Sequence, residues 1–226
     1  DALTILLPDS SSVLTPGEVR IAMTSYSSMV NAGTYFKAVT NKNPTRTYTD
    51  THIETVSTCT AYKKNGKCKT WKDVDVPTPV TKTITNTCVK ERIGVDAFTG
   101  AKPGPGAWIE AAEAYFTDSK SGGSWDEETC NKITSIPLTD NKTKLSKYIT
   151  DLTPNGLTAG HLGIAWGWYL LSPDWKPIWP SDSDPWEYTE PDTVKILILM
   201  TDGEFNTVYN SGQGNSFSQS QKLCDK

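Results

Sequence analysis

The chain has 226 residues, of which 36% are hydrophobic, 10% aromatic and 21% charged. This length accommodates one large domain, or one domain with a large insertion, and the aromatic content excludes disorder of the whole chain. The net charge of −4 at pH 7 argues against a basic nucleic-acid-binding protein. No uninterrupted apolar run approaches the roughly 18 residues that a membrane-spanning helix needs.

Both ends of the sequence predict helices that are incomplete. Residues 2–7 have the apolar spacing of the last two turns of an amphipathic helix that ends near Pro8. Residues 219–226 have the pattern of a helix halted partway. We therefore expect the sequence to be the middle part of a longer protein. The first strand is predicted at residues 19–23, after Pro16 and Gly17.

Residues 45–87 differ in composition from the rest of the chain, with 13 Thr among 43 residues. Thr alternates there with Lys, Val and Ile, for example in residues 81–85, and this alternation predicts exposed antiparallel strands or ribbons. The cysteines that punctuate the region argue against a flexible Thr/Pro stalk.

The five cysteines are too widely and irregularly spaced for a Cys₄ zinc site. Cys59 and Cys68 lie nine residues apart around a turn that contains Lys and Gly, which suits a hairpin disulfide. Cys88 with Cys130 is the natural second pair, although four cysteines permit three connectivities. Disulfides indicate an oxidising envelope compartment. Cys224 is left over, either as a buried free thiol or paired outside this sequence.

Two helices and one strand are predicted in the last third of the chain. Apolar residues from Leu145 to Leu152 fall at the i, i+3, i+4 and i+7 positions of one helix face. A second helix follows Gly160 and stops before Pro173. Residues 194–200 form the most apolar run, which predicts a central strand of a mainly parallel sheet with helices on both faces.

Oxygen-bearing side chains follow this predicted strand. Asp202 and Glu204 come directly after it, at the edge where ligands bind in open α/β sheets. Thr158 lies in a second loop, flanked by Gly, immediately before a helix. Thr158 and Asp202 would together offer oxygen ligands to a hard cation such as Mg²⁺ with retained waters.

Three segments resemble a von Willebrand factor type A domain: Gly156-Leu157-Thr158 with Gly160, residues 166–173 and residues 195–206. More narrowly, they are similar to the TadG-type proteins of bacterial tight-adherence (Flp) pilus assembly. The resemblance implies a three-layer, Rossmann-like α/β domain with a mainly parallel central sheet. This domain would comprise residues 1–43 and 144–226, truncated at both ends. A disulfide-stapled, β-rich or irregular insertion would occupy residues 44–143.

The resemblance also implies a metal-ion-dependent adhesion site built from three loops. Matched motif by motif, Thr158 is the ligand of the second loop and Asp202 that of the third. The first loop, Asp-x-Ser-x-Ser, is missing, because Val13 stands where residues 9–13 would need the second Ser. We therefore expect the complete domain to bind Mg²⁺, or Mn²⁺ or Ca²⁺, and this sequence to bind it weakly or not at all.

The function that the resemblance implies is non-enzymatic. It is that of a pilus-assembly or adhesion protein of the bacterial cell envelope, periplasmic or surface-exposed, that binds protein partners and no nucleic acid. Membrane attachment is expected only through a segment upstream of this sequence. A scaffold with a vestigial metal site is one alternative.

The second alternative is a secreted hydrolase or carbohydrate-active protein that uses Asp202 and Glu204. Two carboxylates two residues apart at a strand end do not favour a cooperating acid/base pair. The loop at 173–191 contains Trp175, Trp179 and Trp186. These tryptophans would be the ligand platform of such a protein, or else a structural lid. His161 invites a general-base role, but no nucleophile is evident beside it, and a structural role at the start of the helix explains it.

Overall fold

The computed structural model describes residues 2–8, 17–119, 122–154, 156–201 and 203–226. The chain divides into two compact units. The first comprises Asp1–Pro44, Asn86–Ala112 and Thr129–Lys226, and the second comprises Thr45–Thr85 and Glu113–Glu128. The second unit thus contains two separate stretches of the predicted insertion at 44–143, and the rest of that insertion belongs to the first unit. Within the described residues, no helix is both long and apolar enough to span a bilayer.

The helices and strands follow one another along the chain with long irregular connections. In order they are α1 (Ala2–Leu6), β1 (Ile21–Met23), β2 (Val30–Asn31), α2 (Phe36–Thr40), β3 (Thr45–Tyr62), β4 (Cys68–Thr85), β5 (Cys88–Arg92), β6 (Ile109–Ala111), β7 (Ala114–Ser119), β8 (Gly122–Glu127), β9 (Ile136–Thr139), α3 (Lys142–Asp151), α4 (Gly160–Leu171) and α5 (Ser216–Cys224). The predicted helices at 145–152 and 160–171 correspond to α3 and α4.

The sheets of the first unit are small and antiparallel. Strand β1 pairs with β9, and β5 lies between β2 and β6. Every strand pairing among the described residues is antiparallel. The prediction of a three-layer, Rossmann-like von Willebrand A fold with a mainly parallel central sheet is therefore wrong for this structure.

Residues 194–200, the predicted central strand, run along helix α4 without joining a sheet. Their exposure alternates as in a strand, and the outward side chains are 71–83% exposed: Val194, Ile196, Ile198 and Met200. On the inner side Leu197 packs on Gly167, where an added Cβ would lie 2.8 Å from the Leu197 methyl carbon. Within the described residues, no backbone–backbone hydrogen bond involves this segment. Among the described residues the run thus packs against a helix and pairs with no strand, and this explains why the parallel-sheet prediction is wrong.

Helix α4 forms the centre of the main hydrophobic core. Trp166, Tyr169 and Leu162 on this helix are at most 2% exposed. They belong to one cluster with Val89 of β5 and Phe36 of α2. Burying a large apolar side chain contributes about 1.5–3 kcal/mol relative to leaving it exposed, so this cluster is the main source of stability in the first unit.

The second unit is dominated by a long two-stranded ribbon, β3–β4. Directly opposed threonines bond through their hydroxyls, at 2.8 Å for Thr45 and Thr85 and 2.9 Å for Thr47 and Thr83. Thr is a β-branched residue that favours strands, which accounts for the predicted ribbon. The chain enters and leaves the ribbon through neighbouring residues of the first unit, because the Asn86 N–H donates to the Pro44 carbonyl at 2.9 Å.

The hairpin β7–β8 packs on the ribbon near its base. The Trp125 Nε1–H donates to the Val80 carbonyl at 3.0 Å, and its ring centroid lies 5.2 Å from that of Tyr48. His52 Nδ1 lies 2.6 Å from a carboxylate oxygen of Asp118. These contacts give the ribbon an apolar and a polar anchor within its own unit.

Candidate functional site

The loop of Thr158 and the loop at 201–207 meet in the first unit. The Thr158 carbonyl accepts hydrogen bonds from the N–H groups of Asn206 at 3.0 Å and Thr207 at 3.3 Å. In return the Thr158 N–H donates to Asn206 Oδ1 at 2.9 Å. Phe205 lies directly against Gly160, where an added Cβ would be 2.2 Å from its ring. The two loops predicted from the sequence are therefore held together in a defined register.

A third loop, at residues 27–28, joins them. The Leu157 N–H donates to Ser28 Oγ at 3.1 Å, and the Ala159 N–H donates to the Ser27 carbonyl at 2.8 Å. The contact of this loop with the other two loops was not predicted from the sequence. Its only signal in the sequence is the pair of adjacent serines, which is a common feature of ordinary loops.

The Thr158 hydroxyl faces the loop that carries Asp202. Its Oγ1 lies 3.7 Å from the position that a Cβ on Gly203 would take. Within the described part of the chain this hydroxyl makes no hydrogen bond. The Thr201 hydroxyl donates to the Gly203 carbonyl at 3.1 Å and accepts from the Gly203 N–H at 3.3 Å, closing a tight turn. Asp202, the other predicted metal ligand, belongs to this turn in the sequence but lies outside the described residues.

The chemistry of these groups fits an open site for a hard cation. The side-chain oxygens of Ser28 and Asn206 already accept hydrogen bonds from backbone N–H groups. The Thr158 hydroxyl is therefore the oxygen that could bind a cation on the side of the Thr201 turn. Among the described residues, no three His, Cys, Asp or Glu side chains are grouped closely enough to hold a metal ion. Negative charge would have to come from Asp202, or from Glu204, which is exposed. Such a set suits Mg²⁺ that keeps several of its waters.

The tryptophans proposed as a ligand platform are mostly buried. Trp175 is 0% and Trp179 is 5% exposed, and their rings stack with centroids 5.6 Å apart. A platform needs ring faces that a ligand can reach, so these two residues form core rather than a platform. Trp186 is 42% exposed, but the guanidinium of Arg20 lies over its ring at 4.7 Å.

His161 takes part in a buried network that the sequence analysis missed. Its Nε2 lies 3.0 Å from Glu91 Oε1, and its Nδ1 lies 2.7 Å from the Ser216 hydroxyl oxygen. The Tyr209 N–H also donates to Glu91 Oε1, at 2.7 Å. No sequence spacing could have indicated this network, because Glu91 and Ser216 are 70 and 55 residues away from His161.

This network has the residue types of a catalytic triad but not the access of one. Glu91, His161 and Ser216 are each at most 3% exposed. The adjoining cavity has a volume of about 10 Å³, roughly enough for one water molecule. Burial raises the pKa of Glu91, but the hydrogen bonds from His161 and Tyr209 outweigh it and hold that pKa below its ordinary value. The arrangement therefore stabilises a charged carboxylate in the core, joining β5, α4 and α5.

Both predicted disulfides are present. Cys59 bonds to Cys68 near the turn of the ribbon, and Cys88 bonds to Cys130 in the first unit. Of the three connectivities that four cysteines allow, the structure has the one inferred from spacing. Cys224 is a free thiol and is exposed, so the alternative of a buried thiol is wrong.

No protein-family model matches the chain, and no curated protein or solved structure matches it. Its functional class must therefore be inferred from its own geometry. Among the described residues, the three-loop cluster around Thr158 includes exposed positions such as Leu157 and Asn206, whereas the Glu91–His161–Ser216 network is buried.

Proposed function

We propose that the protein is a non-enzymatic adhesion or assembly protein of the bacterial cell envelope, and that the cluster around Thr158 is its ligand-contacting site. The observation that carries this proposal is the hydrogen-bonded union of the Thr158 loop with the loop at 201–207. Thr158 and Asn206 are 48 residues apart in sequence, and their hydrogen bonds place the Thr158 hydroxyl towards the loop that carries Asp202. The narrower role in pilus assembly follows from the sequence resemblance alone.

The two disulfides support the envelope location. Each unit contains one of them, and disulfides persist in oxidising compartments such as the bacterial periplasm and the cell surface. The Glu91–His161–Ser216 network is not proposed as a catalytic site, because its three side chains are at most 3% exposed.

Thr158 and Asp202 are the residues that would hold a divalent cation. A bound Mg²⁺ with retained waters supplies an open coordination position that an acidic side chain of a protein partner can fill. The chain's own contribution is positional. Asn206 fixes both the N–H and the carbonyl of Thr158, and the Thr201 turn fixes the residues on either side of position 202.

A calorimetric titration of Mg²⁺ and Mn²⁺ into the 226-residue chain tests the proposal. The sequence alone allows weak binding or none, and we expect weak binding because hydrogen bonds hold the two loops together. The Kd should be on the order of 10⁻⁴ to 10⁻³ M, and binding should become at least about tenfold weaker in Thr158→Val and in Asp202→Asn. Thr34→Val, at an exposed threonine outside the cluster, is the matched control and should bind as the wild type does. Equal affinity in all four folded proteins, or no binding by the wild type, would refute the cation site.

A further inference from the structure

The turn end of the ribbon carries a dense cluster of positive charge. Residues 60–72 contain five lysines and no acidic residue: Lys63, Lys64, Lys67, Lys69 and Lys72. The chain as a whole has a net charge of −4, so the remainder carries −9. Charge of one sign is thus concentrated at a single end of one element, in a chain that is otherwise acidic.

The structure holds these lysines together and leaves them unpaired. All five are exposed, and among the described residues none of their ammonium groups has an ion-pair partner. The turn is closed by hydrogen bonds from the Lys63 N–H to the Lys67 carbonyl, at 2.8 Å, and from the Gly66 N–H to the Lys63 carbonyl, at 2.9 Å. The Cys59–Cys68 disulfide, with 5.8 Å between the two Cα atoms, prevents the strands from separating there.

Asp73 and Asp75, which follow the cluster on β4, form no ion pair with its lysines among the described residues. Asp73 accepts a hydrogen bond from the Ser57 hydroxyl, and Asp75 accepts one from the Thr55 hydroxyl at 2.9 Å. Like charges confined to a turn repel one another, so the segment gains from any external anionic surface that it meets.

Two exposed aromatic rings lie beside the lysines. Trp71 is 62% and Tyr62 is 69% exposed. Trp71 is paired with Cys59, and Tyr62 is paired with Cys68. Because directly opposed residues share a face of the ribbon and the two cysteines are bonded, both rings flank the disulfide on one face. Residues 60–72, named the basic tip, therefore combine an aromatic face with a fringe of ammonium groups.

We propose that the basic tip binds the surface of an anionic phospholipid bilayer. Lysine is a flexible point charge without the bidentate geometry of arginine, and a cluster of lysines alone suits a diffuse field of headgroup phosphates rather than one oriented anion. Trp and Tyr are the side chains that prefer the boundary between headgroups and acyl chains. This contact lies within the chain, whereas the sequence analysis expected a membrane only through a segment outside it, and it does not depend on the cation site.

Co-sedimentation with vesicles of phosphatidylglycerol and phosphatidylcholine, against vesicles of phosphatidylcholine alone, tests the proposal. One variant changes the five tip lysines to Gln. The matched control changes five exposed lysines elsewhere to Gln: Lys37, Lys102, Lys132, Lys144 and Lys226. Both variants lose the same net charge, so any difference between them reports the position of the charge. Circular dichroism verifies that all the proteins are folded.

The wild type and the control should bind the anionic vesicles and not the neutral ones, with affinity that falls as salt is added. The tip variant should bind at least about 100-fold more weakly, given the contribution of each lysine near an anionic surface. Trp71→Ala with Tyr62→Ala should lower the affinity about tenfold while keeping the salt dependence. Equal losses in the two lysine variants would overturn the proposal. So would tighter binding to a soluble anionic polysaccharide such as polygalacturonate than to the vesicles.

Discussion

The imidazole Nε2 of His161 lies 3.0 Å from the carboxylate oxygen Oε1 of Glu91, and both side chains are almost completely buried. The contact joins helix α4 to strand β5 across the core of the first unit. A buried carboxylate is tolerated only when hydrogen bonds replace the water that it has lost. His161 and the Tyr209 N–H supply such bonds to one of the two carboxylate oxygens, Oε1, so the stability of the unit is coupled to the ionisation of Glu91.

Glu91→Gln should reduce the acid sensitivity of the protein. The pKa of Glu91 in the folded state is below its ordinary value of 4.5, so the folded state holds the proton less tightly than the unfolded chain does. Its stabilising effect is fully present above about pH 4.5 and is lost as the pH falls through the folded pKa. The variant should unfold with a free energy about 1–3 kcal/mol lower at pH 7 and with a shallower decline below pH 4.5.

Urea unfolding at pH 7, 5 and 3.5 measures this effect. Glu190→Gln, at an exposed position, makes the same change in charge and should keep the wild-type dependence on pH. If the free energy of unfolding of Glu91→Gln fell below pH 4.5 as steeply as that of the wild type, the Glu91 carboxylate would not be the group that causes this fall.

Arg92→Lys should destabilise the first unit despite conserving the charge. The guanidinium of Arg92 lies over the rings of Tyr169, at 5.0 Å, and Trp175, at 5.5 Å, and its Nη1 donates to the Ala101 carbonyl at 2.8 Å. An ammonium group cannot stack flat on a ring while it reaches that carbonyl. We expect a loss of about 2 kcal/mol in the free energy of unfolding, measured in urea at neutral pH. Arg20→Lys, at a cation–π contact with the exposed ring of Trp186, should change it by less than about 0.5 kcal/mol, and similar losses in the two variants would contradict this explanation.

Ile196→Lys with Ile198→Lys should lower self-association without lowering stability. Both side chains point away from helix α4 and are 71% and 76% exposed. An exposed apolar segment whose backbone is not paired in a sheet is a site of aggregation. Sedimentation velocity over a range of concentrations should show less association than in the wild type. The control is Ile5→Lys with Val95→Lys. These two apolar side chains lie outside residues 194–200 and are 77% and 92% exposed, and the control should associate as the wild type does. Identical association in all three proteins would rule out the segment as the cause.

Local patterns in the sequence predicted the local structures well. The Thr alternation gave the ribbon, the apolar spacing gave helices α3 and α4, and cysteine spacing gave both disulfides. The Gly-flanked position of Thr158 and the apolar run before Thr201 also led to two loops that the structure brings together.

Features that depend on distant partners could not be predicted in the same way. The run at 194–200 has the composition of a central strand, but membership of a sheet depends on neighbouring strands, and none of the described strands pairs with it. A loop rich in tryptophan can form either an exposed ligand platform or part of a core. The structure decides in favour of core for Trp175, because its ring stacks on Tyr169 with ring centroids 4.2 Å apart. Glu91 and Ser216 carry no local signal of their contact with His161.

The hydrogen bond between the Asn86 N–H and the Pro44 carbonyl bears on how this protein can change over evolutionary time. Because of this bond, the chain enters and leaves the ribbon at adjacent residues of the first unit. Insertions or deletions that add or remove one residue from each strand therefore leave the main core untouched and keep threonine opposite threonine. A change of one residue in a single strand would instead shift the pairing register, so that threonines no longer lie opposite threonines. Ribbon length in related chains should accordingly vary in matched steps, so that the reach of its turn can be adjusted independently of the rest of the protein.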